Sequence, residues 1–280
     1  NASRYVMMNL SIEKNQLPTA EKLEIADRWI LSKLNRTVRE ATENLEKFEL
    51  GVAIQKIYDF IWDDYCDWYI ELTKARLYGE DEAAKLTAQQ VLLYVLDQIL
   101  RLMHPFMPFV TEEIWQAIPH AGEALITAKW PEYDESLDYP TEEQHMDSVM
   151  QAIRTVRNRR AEMNVPPSKK ADLYVVTDKQ EVFTEGAAFI TRLAYADRVF
   201  VSVQEPEGHE DMAQCVTADA RLYLPLAQLV DVEKELARVE KESENAKKEI
   251  ARAEAQLANE KFVFRAPAHV IPGQGGQVEQ

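Results

Sequence analysis

Residues 19–48 read TAEKLEIADRWILSKLNRTVREATENLEKF, and within them Ile30, Leu34, Thr37, Ala41, Leu45 and Phe48 recur at steps of three and four. That spacing puts them on one face of a single long helix. Glu49-Leu50-Gly51 breaks the pattern. A second helix is expected from Val52 to Tyr78, carrying Tyr58, Trp62, Tyr65 and Tyr69 as an aromatic stripe. A third covers Ala83 to Met103 and stops at His104-Pro105, where proline ends helical hydrogen bonding. Thr111 then reads as the N-cap of a short fourth helix reaching Ile118, with Glu112 and Glu113 suited to the positive helix start. Four helices on short connections make a bundle.

Before this stretch, residues 1–18 read as a lead-in closed by Leu17-Pro18. After it, residues 119–140 read as a loop across the bundle, and a fifth long helix runs from Glu142 to Met163 and ends before Pro166-Pro167. The pattern then shortens. Ala171–Val176, Arg198–Val203, Cys215–Thr217 and Arg221–Leu224 are expected as strands, with a helix over Val182–Tyr195, which makes a small α/β element. From Leu229, the positions Val232, Leu236, Val239, Ser243, Ala246, Ile250, Ala253 and Leu257 form a heptad seam, flanked by interleaved Glu, Lys and Arg. The fold class is therefore mainly α. The expected divisions are a lead-in at 1–18, a helical bundle at 19–165, an α/β element at 166–228 and a coiled-coil arm at 229–280.

Bulk properties limit the function. The 280 residues are 46% hydrophobic, enough for a sizeable core, and only 8 are glycine. No apolar run approaches the ~20 residues that span a bilayer, and Asn1-Ala2-Ser3-Arg4 does not begin a secretory leader. Cys66 and Cys215 stand far apart, which fits a reducing cytoplasm rather than a disulfide framework. The net charge of −16 argues against a nucleic-acid partner. Charges more than ~8 Å apart are largely screened at physiological salt, however, so local clusters decide.

Residue patterns offer little catalysis. There is no glycine-rich phosphate loop, and none of the five histidines has metal-ligand spacing with a cysteine. Asp63, Asp67 and Glu71 stand at i, i+4 and i+8. They could be acid–base or metal-binding carboxylates of a hydrolase, but a solvated face is the preferred reading. The aromatic stripe is read as core packing. Two basic clusters are more informative. Arg154, Arg157, Asn158, Arg159, Arg160, Lys169 and Lys170 fall in one short span, off the apolar face formed by Met146, Val149, Ile153 and Val156. Arg28, Lys33, Arg36 and Arg39 sit beside Trp29 on the first helix, where arginine forks and an indole could hold phosphates and stack bases. Composition and spacing alone leave a helical bundle with a coiled-coil arm and an unnamed partner.

Longer stretches add a resemblance. ADRWIL (26–31), WDDYCDWYIEL (62–72) and HPFMPFVTEEIW (104–115) resemble the anticodon-binding bundle of class I aminoacyl-tRNA synthetases of the valine, isoleucine and leucine group. NASRY (1–5) is similar to the segment leaving their catalytic core. AIRTVRNRRAEMNVPPSKK (152–170), and residues 229–258 with NEKFVFRAPAHV (259–270), resemble the valine branch, and the cysteine-rich zinc end typical of the isoleucine branch is missing. The resemblance implies an enzyme that joins valine to tRNA(Val) using ATP and magnesium. The family's HIGH and KMSKS signatures are absent, so this stretch is expected to be non-catalytic and to hold no metal or cofactor itself. Implied partners are tRNA(Val) and upstream catalytic and editing domains, in a cytoplasmic protein that is monomeric unless the seam self-associates. Arg4, Arg28, Trp29, Lys33 and Arg36 are then expected at the anticodon. Arg154, Arg157, Asn158, Arg160, Lys169 and Lys170 are expected on the RNA backbone, and Lys241, Lys247, Lys248 and Arg252 on the arm. Where the family has a second arm helix, this chain turns to Pro272-Gly273-Gln274-Gly275-Gly276, so the arm reads as incomplete. The alternatives are a coiled-coil interaction module without RNA binding, the equivalent isoleucine-enzyme region, and a hydrolase built on Asp63 and Asp67.

Overall fold

A computed structural model describes residues 1–229 and 243–252. The seam positions Val232, Leu236, Val239, Ala253 and Leu257, together with Lys241 and the stretch 259–280, lie outside the described residues. A short α1 (Ala2–Met8) precedes α2 (Ile25–Glu46). The first long helix starts later than its apolar spacing suggests. Thr19 to Glu24 form one 3₁₀ turn and an extended pair, and Asp27 receives the Glu24 backbone N–H at 3.0 Å, which fixes the helix start. Across a short turn follow α3 (Leu50–Asp59), a segment bonded i→i+5 (Phe60–Tyr69) and α4 (Ile70–Leu77), so Gly51 lies inside a helix rather than in its break. Then come α5 (Glu82–Met103), N-capped by Asp81, and α6 (Pro108–Gln116).

The i→i+5 segment explains the aromatic stripe. Its wider turn aligns residues five apart, and Phe60, Tyr65 and Ile70 are all buried. Tyr65 and Tyr69 are core, while Tyr58 and Trp62 are 53% and 56% exposed and stack on one another. The core reading holds for half of the stripe.

Two buried carboxylates lock the bundle. Asp27 accepts both terminal nitrogens of Arg76 at 2.7 and 2.6 Å and the Tyr69 hydroxyl at 2.6 Å, tying α2 to α4. Burial works against the Arg76 charge, and Asp27 more than offsets it, holding the guanidinium protonated. Asp97 accepts the Trp115 indole N–H at 2.7 Å and Arg101 at 2.8 Å, tying α5 to α6. Thr111 is not an N-cap. It lies inside α6, buried, with its hydroxyl donating to Met107 O at 2.8 Å, while Pro108 takes the first helical position.

The loop 117–139 returns across the bundle, where Asn35 pairs with Asp134 through both its amide groups at 2.9 Å. It feeds α7 (Pro140–Glu162), whose Met146, Val149, Ile153 and Val156 are completely buried. Next come β1 (Ala171–Val176), α8 (Gln180–Glu185), α9 (Ala187–Leu193), β2 (Ala196–Ser202), β3 (Met212–Val216), β4 (Arg221–Pro225) and α10 (Leu226–Leu229). The sheet order is β2-β1-β4-β3. β1 and β2 run parallel, and the other pairs are antiparallel. The single helix expected over 182–195 is two. They meet at Gly186, where a Cβ would lie 2.5 Å from a Val149 methyl, so only glycine lets this corner pack on α7. The molecule is mainly α with a small mixed α/β element.

Candidate nucleic-acid interface

Three of the four basic residues of α2 are bound up in the fold, while Arg39 is exposed and lies 4.9 Å over the Tyr133 ring. Arg28 pairs with Glu142 at 3.3 Å and Lys33 with Asp64 at 3.8 Å, while Arg36 pairs with the buried Glu143, which also accepts the Ser32 hydroxyl at 2.7 Å. Burial pushes the Asp64 carboxyl up to about 6, with Lys33 pulling the other way. Trp29 is fully buried, so the base-stacking role expected of it has no surface to act from. Its indole belongs to the core, and its Nε1 has no hydrogen-bond partner. Arg4 is exposed on α1, away from this cluster in the sequence and on another element.

The cluster at the end of α7 is arranged differently. Arg154 is exposed and lies 5.0 Å over the Trp68 ring, and Asn158 is exposed. Arg157 is exposed, with its Nε donating to Leu193 O at 2.6 Å. Arg160 is 2% exposed, a correction to its expected place on the surface. It donates to Pro166 O at 3.1 Å and to Lys169 O. Arg159 pairs with Glu162 at 3.1 Å. Lys169 is half-buried and Lys170 exposed on the following loop. Among the described residues, neither Arg157 nor Arg160 has a carboxylate partner.

A third surface was not legible in the sequence. α2 and α5 point one way along the bundle and α3–α4 the other, on short connections, so the α2–α3 and α5–α6 turns share one end. There Phe48 is 89% exposed and Phe109 91%, with Leu50, Val52, Met107 and Val110 also exposed. Phe48 was expected on the buried face of α2. The helix instead ends at Glu46, and Phe48 adopts φ 59, in the left-handed region that bulky residues rarely occupy. The only sequence signals were an aromatic just past a helix end and another directly after Pro108.

A groove of about 890 Å³ between α7 and α8 is lined by Asp147, Asp178, Glu181 and Asp219 together with Arg154 and Lys179, the last paired with Asp219 at 2.6 Å, so acids outnumber bases there. Asp63 and Asp67 are exposed, Glu71 pairs with Lys74, and no three His, Cys, Asp or Glu side chains group as metal ligands among the described residues. Burial raises both thiols, Cys215 to about 11, away from nucleophilic use. On the arm, residues 243–252 are helical, with Lys247, Lys248 and Arg252 exposed and Lys248 3.7 Å from Glu244. No helix of the described residues is long and apolar enough to cross a membrane.

Comparison with known proteins shows the family. Residues 27–175 match the family described as "Anticodon-binding domain of tRNA ligase", and residues 231–279 match "Valyl tRNA synthetase tRNA binding arm". The chain is 46% identical over 277 residues to a valine–tRNA ligase of Clostridium acetobutylicum, covering 98% of this chain and 31% of the relative. It is 50% identical over 275 residues to the Clostridium tetani enzyme of that name, covering 97% of this chain and 31% of that one. A Bacillus cereus valine–tRNA ligase is 46% identical over 278 residues, again 98% of this chain and 31% of the relative. The chain thus spans under a third of these relatives' length. With one long match across the helical bundle and a second across the arm, the chain belongs to the anticodon-binding domain family of tRNA ligases, in the form that valine–tRNA ligases carry.

Proposed function

We propose that this chain is the tRNA-binding portion of an enzyme that uses ATP and magnesium to join valine to tRNA(Val), and that it performs no chemistry itself. The observation that carries this reading is the succession, in one chain, of an anticodon-binding match and a valyl-type arm match. ATP and magnesium are assigned to the remainder of the whole protein, because the HIGH and KMSKS signatures that hold ATP in this family do not occur in this stretch. The upstream catalytic and editing domains are the other partners, in a cytoplasmic protein that is monomeric unless the heptad seam self-associates.

Within the divisions 1–18, 19–165, 166–228 and 229–280, the bundle and arm share the recognition. Anticodon bases can be splayed out and stacked on aromatic faces. The exposed Phe48 and Phe109, at one end of the bundle, support stacking there. Arg4 serves the anticodon, Arg154, Arg157, Asn158, Lys169 and Lys170 serve the backbone, and Lys241, Lys247, Lys248 and Arg252 brace it from the arm. Arg28, Lys33 and Arg36 contribute by holding α2 against α7 and the Phe60–Tyr69 segment, and Arg160 joins Arg157 on the backbone.

The test is binding of this chain to tRNA(Val) and to an anticodon-swapped version across a salt series. Preference for the valine anticodon, with affinity falling as salt rises, is the expected result. Equal affinity for both would remove anticodon reading, and no binding to either would remove the proposal.

A further inference from the structure

We propose that the pocket framed by Arg157, Arg160, Ala161, Val165, Pro167 and Tyr195 is a phosphate-binding site, with the two guanidiniums as its donors. The natural ligand named here, a backbone phosphate of tRNA, rests on the tRNA-binding reading above; the pocket's chemistry does not. A free phosphorylated small molecule presents the same group.

The pocket has a volume of about 310 Å³, and no carboxylate lines it. In a chain carrying net charge −16, two neighbouring guanidiniums without an acid between them are the exception. Both are held ready. Arg157 and Arg160 lie 5.5 and 5.8 Å over the same Tyr195 ring, and that ring is set by a backbone with φ 57. The Nε of Arg157 is committed to Leu193 O, which leaves its two terminal amino groups for a ligand. Nη2 of Arg160 is committed to Pro166 O and Lys169 O. Its Nη1 is buried and has no hydrogen-bond partner. A buried charged donor left unmade is costly, and a phosphate oxygen is the acceptor that also neutralises the charge.

One effect opposes an anion here: Arg160 stands in the last turn of α7 and Arg157 in the turn before it, near a carbonyl end that is partly negative. That end is already capped. Met163, Asn164 and Val165 donate their N–H groups to the carbonyls of Arg159, Ala161 and Arg160 at 3.2, 3.0 and 2.9 Å, with Asn164 in the left-handed conformation. Two full charges therefore outweigh a terminus whose carbonyls are largely satisfied. Desolvation lowers the Arg160 pKa, as expected of a buried cation without a counter-ion.

The experiment uses the whole chain, titrated calorimetrically with inorganic phosphate at constant ionic strength, and separately with tRNA across a salt series. Arg157→Gln is the main variant because Arg157 is exposed, whereas loss of the buried Arg160 can unfold the loop. Arg157→Lys is the rescue and Lys85→Gln the surface control. The wild type is expected to show saturable phosphate binding, weakened at least fivefold by Arg157→Gln. Arg157→Lys should restore only part, since a point charge lacks the fork. The log–log salt slope for tRNA should become shallower by about 0.7–0.9 in Arg157→Gln, one phosphate contact. Phosphate binding lost with an unchanged tRNA slope would keep the site and assign it to a free phosphorylated ligand. Absence of saturable phosphate binding, or binding indifferent to Arg157→Gln, would overturn the site while leaving tRNA binding intact. A wild type that binds phosphate but no tRNA would overturn the tRNA-binding reading and keep the pocket.

Discussion

The two arginine-bearing helices, α2 and α7, look alike in sequence and differ in their use. Arg28 and Arg36 of α2 face Glu142 and Glu143, and Lys33 faces Asp64, so each cation has a carboxylate within the fold. Arg157 and Arg160 at the end of α7 meet backbone carbonyls and a tyrosine face instead, with no carboxylate among the described residues. Carbonyls orient a guanidinium without neutralising it. The first set therefore holds helices together, and the second keeps its charge for an outside partner. Net charge predicts neither, because the pairing is settled between elements far apart in sequence, Arg28 and Glu142 among them.

The largest expected effect tests whether the polar chemistry of α2 is architectural. Asp27→Ala strips the buried Arg76 of its counter-ion, and denaturant unfolding should show a loss of about 3–5 kcal/mol. A loss below about 1 kcal/mol would mean the pair is dispensable. Next come the exposed aromatics at the bundle's end. Phe48→Ala and Phe109→Ala should each weaken tRNA binding by about 1–3 kcal/mol, the usual worth of a base–aromatic stack, while stability moves by less than about 0.5 kcal/mol. Unchanged affinity in a filter-binding assay would move recognition off this end.

The smallest effect concerns the partner of Lys33. Burial raises Asp64 to about 6, above the ordinary 3.8, so the folded state holds that proton more tightly than the unfolded one. Stability is therefore gained as pH falls through about 6 toward 4, and the desolvation penalty is in full force above 6. The unfolding free energy of Asp64→Asn minus that of the wild type should be greatest above pH 6.5 and shrink by about 1–3 kcal/mol by pH 4. A difference that stays flat with pH would return Asp64 to an ordinary surface carboxylate.

Much of the bundle was legible because its helices bury faces with regular spacing. Met146, Val149, Ile153 and Val156 were read as an apolar face and are buried. β1 runs over the expected residues because its central position leaves little freedom at its ends. The failures have local causes. The i→i+5 segment changed the phase of the aromatic stripe, a feature that 3.6-residue spacing cannot reveal. The expected helix divides at Gly186, where close packing against a Val149 methyl admits only glycine, a contact fixed only by the tertiary fold. The interface was harder to read than the fold, since Trp29 next to arginines suggests stacking until the core around it is known. Phe48 carried the opposite error: it continued the buried spacing of α2 by two residues beyond the helix end.

The most direct measurement sets Arg36→Gln beside Arg157→Gln, reading unfolding free energy and tRNA affinity for each. The account expects Arg36→Gln to lose about 2 kcal/mol of stability, by leaving the buried Glu143 without its charged partner, with tRNA affinity within about twofold of wild type. It expects Arg157→Gln to lose about 1 kcal/mol of stability or less and to weaken tRNA binding with a shallower salt slope. The reverse pattern, affinity lost at Arg36 and unaffected at Arg157, would contradict the division between the two helices.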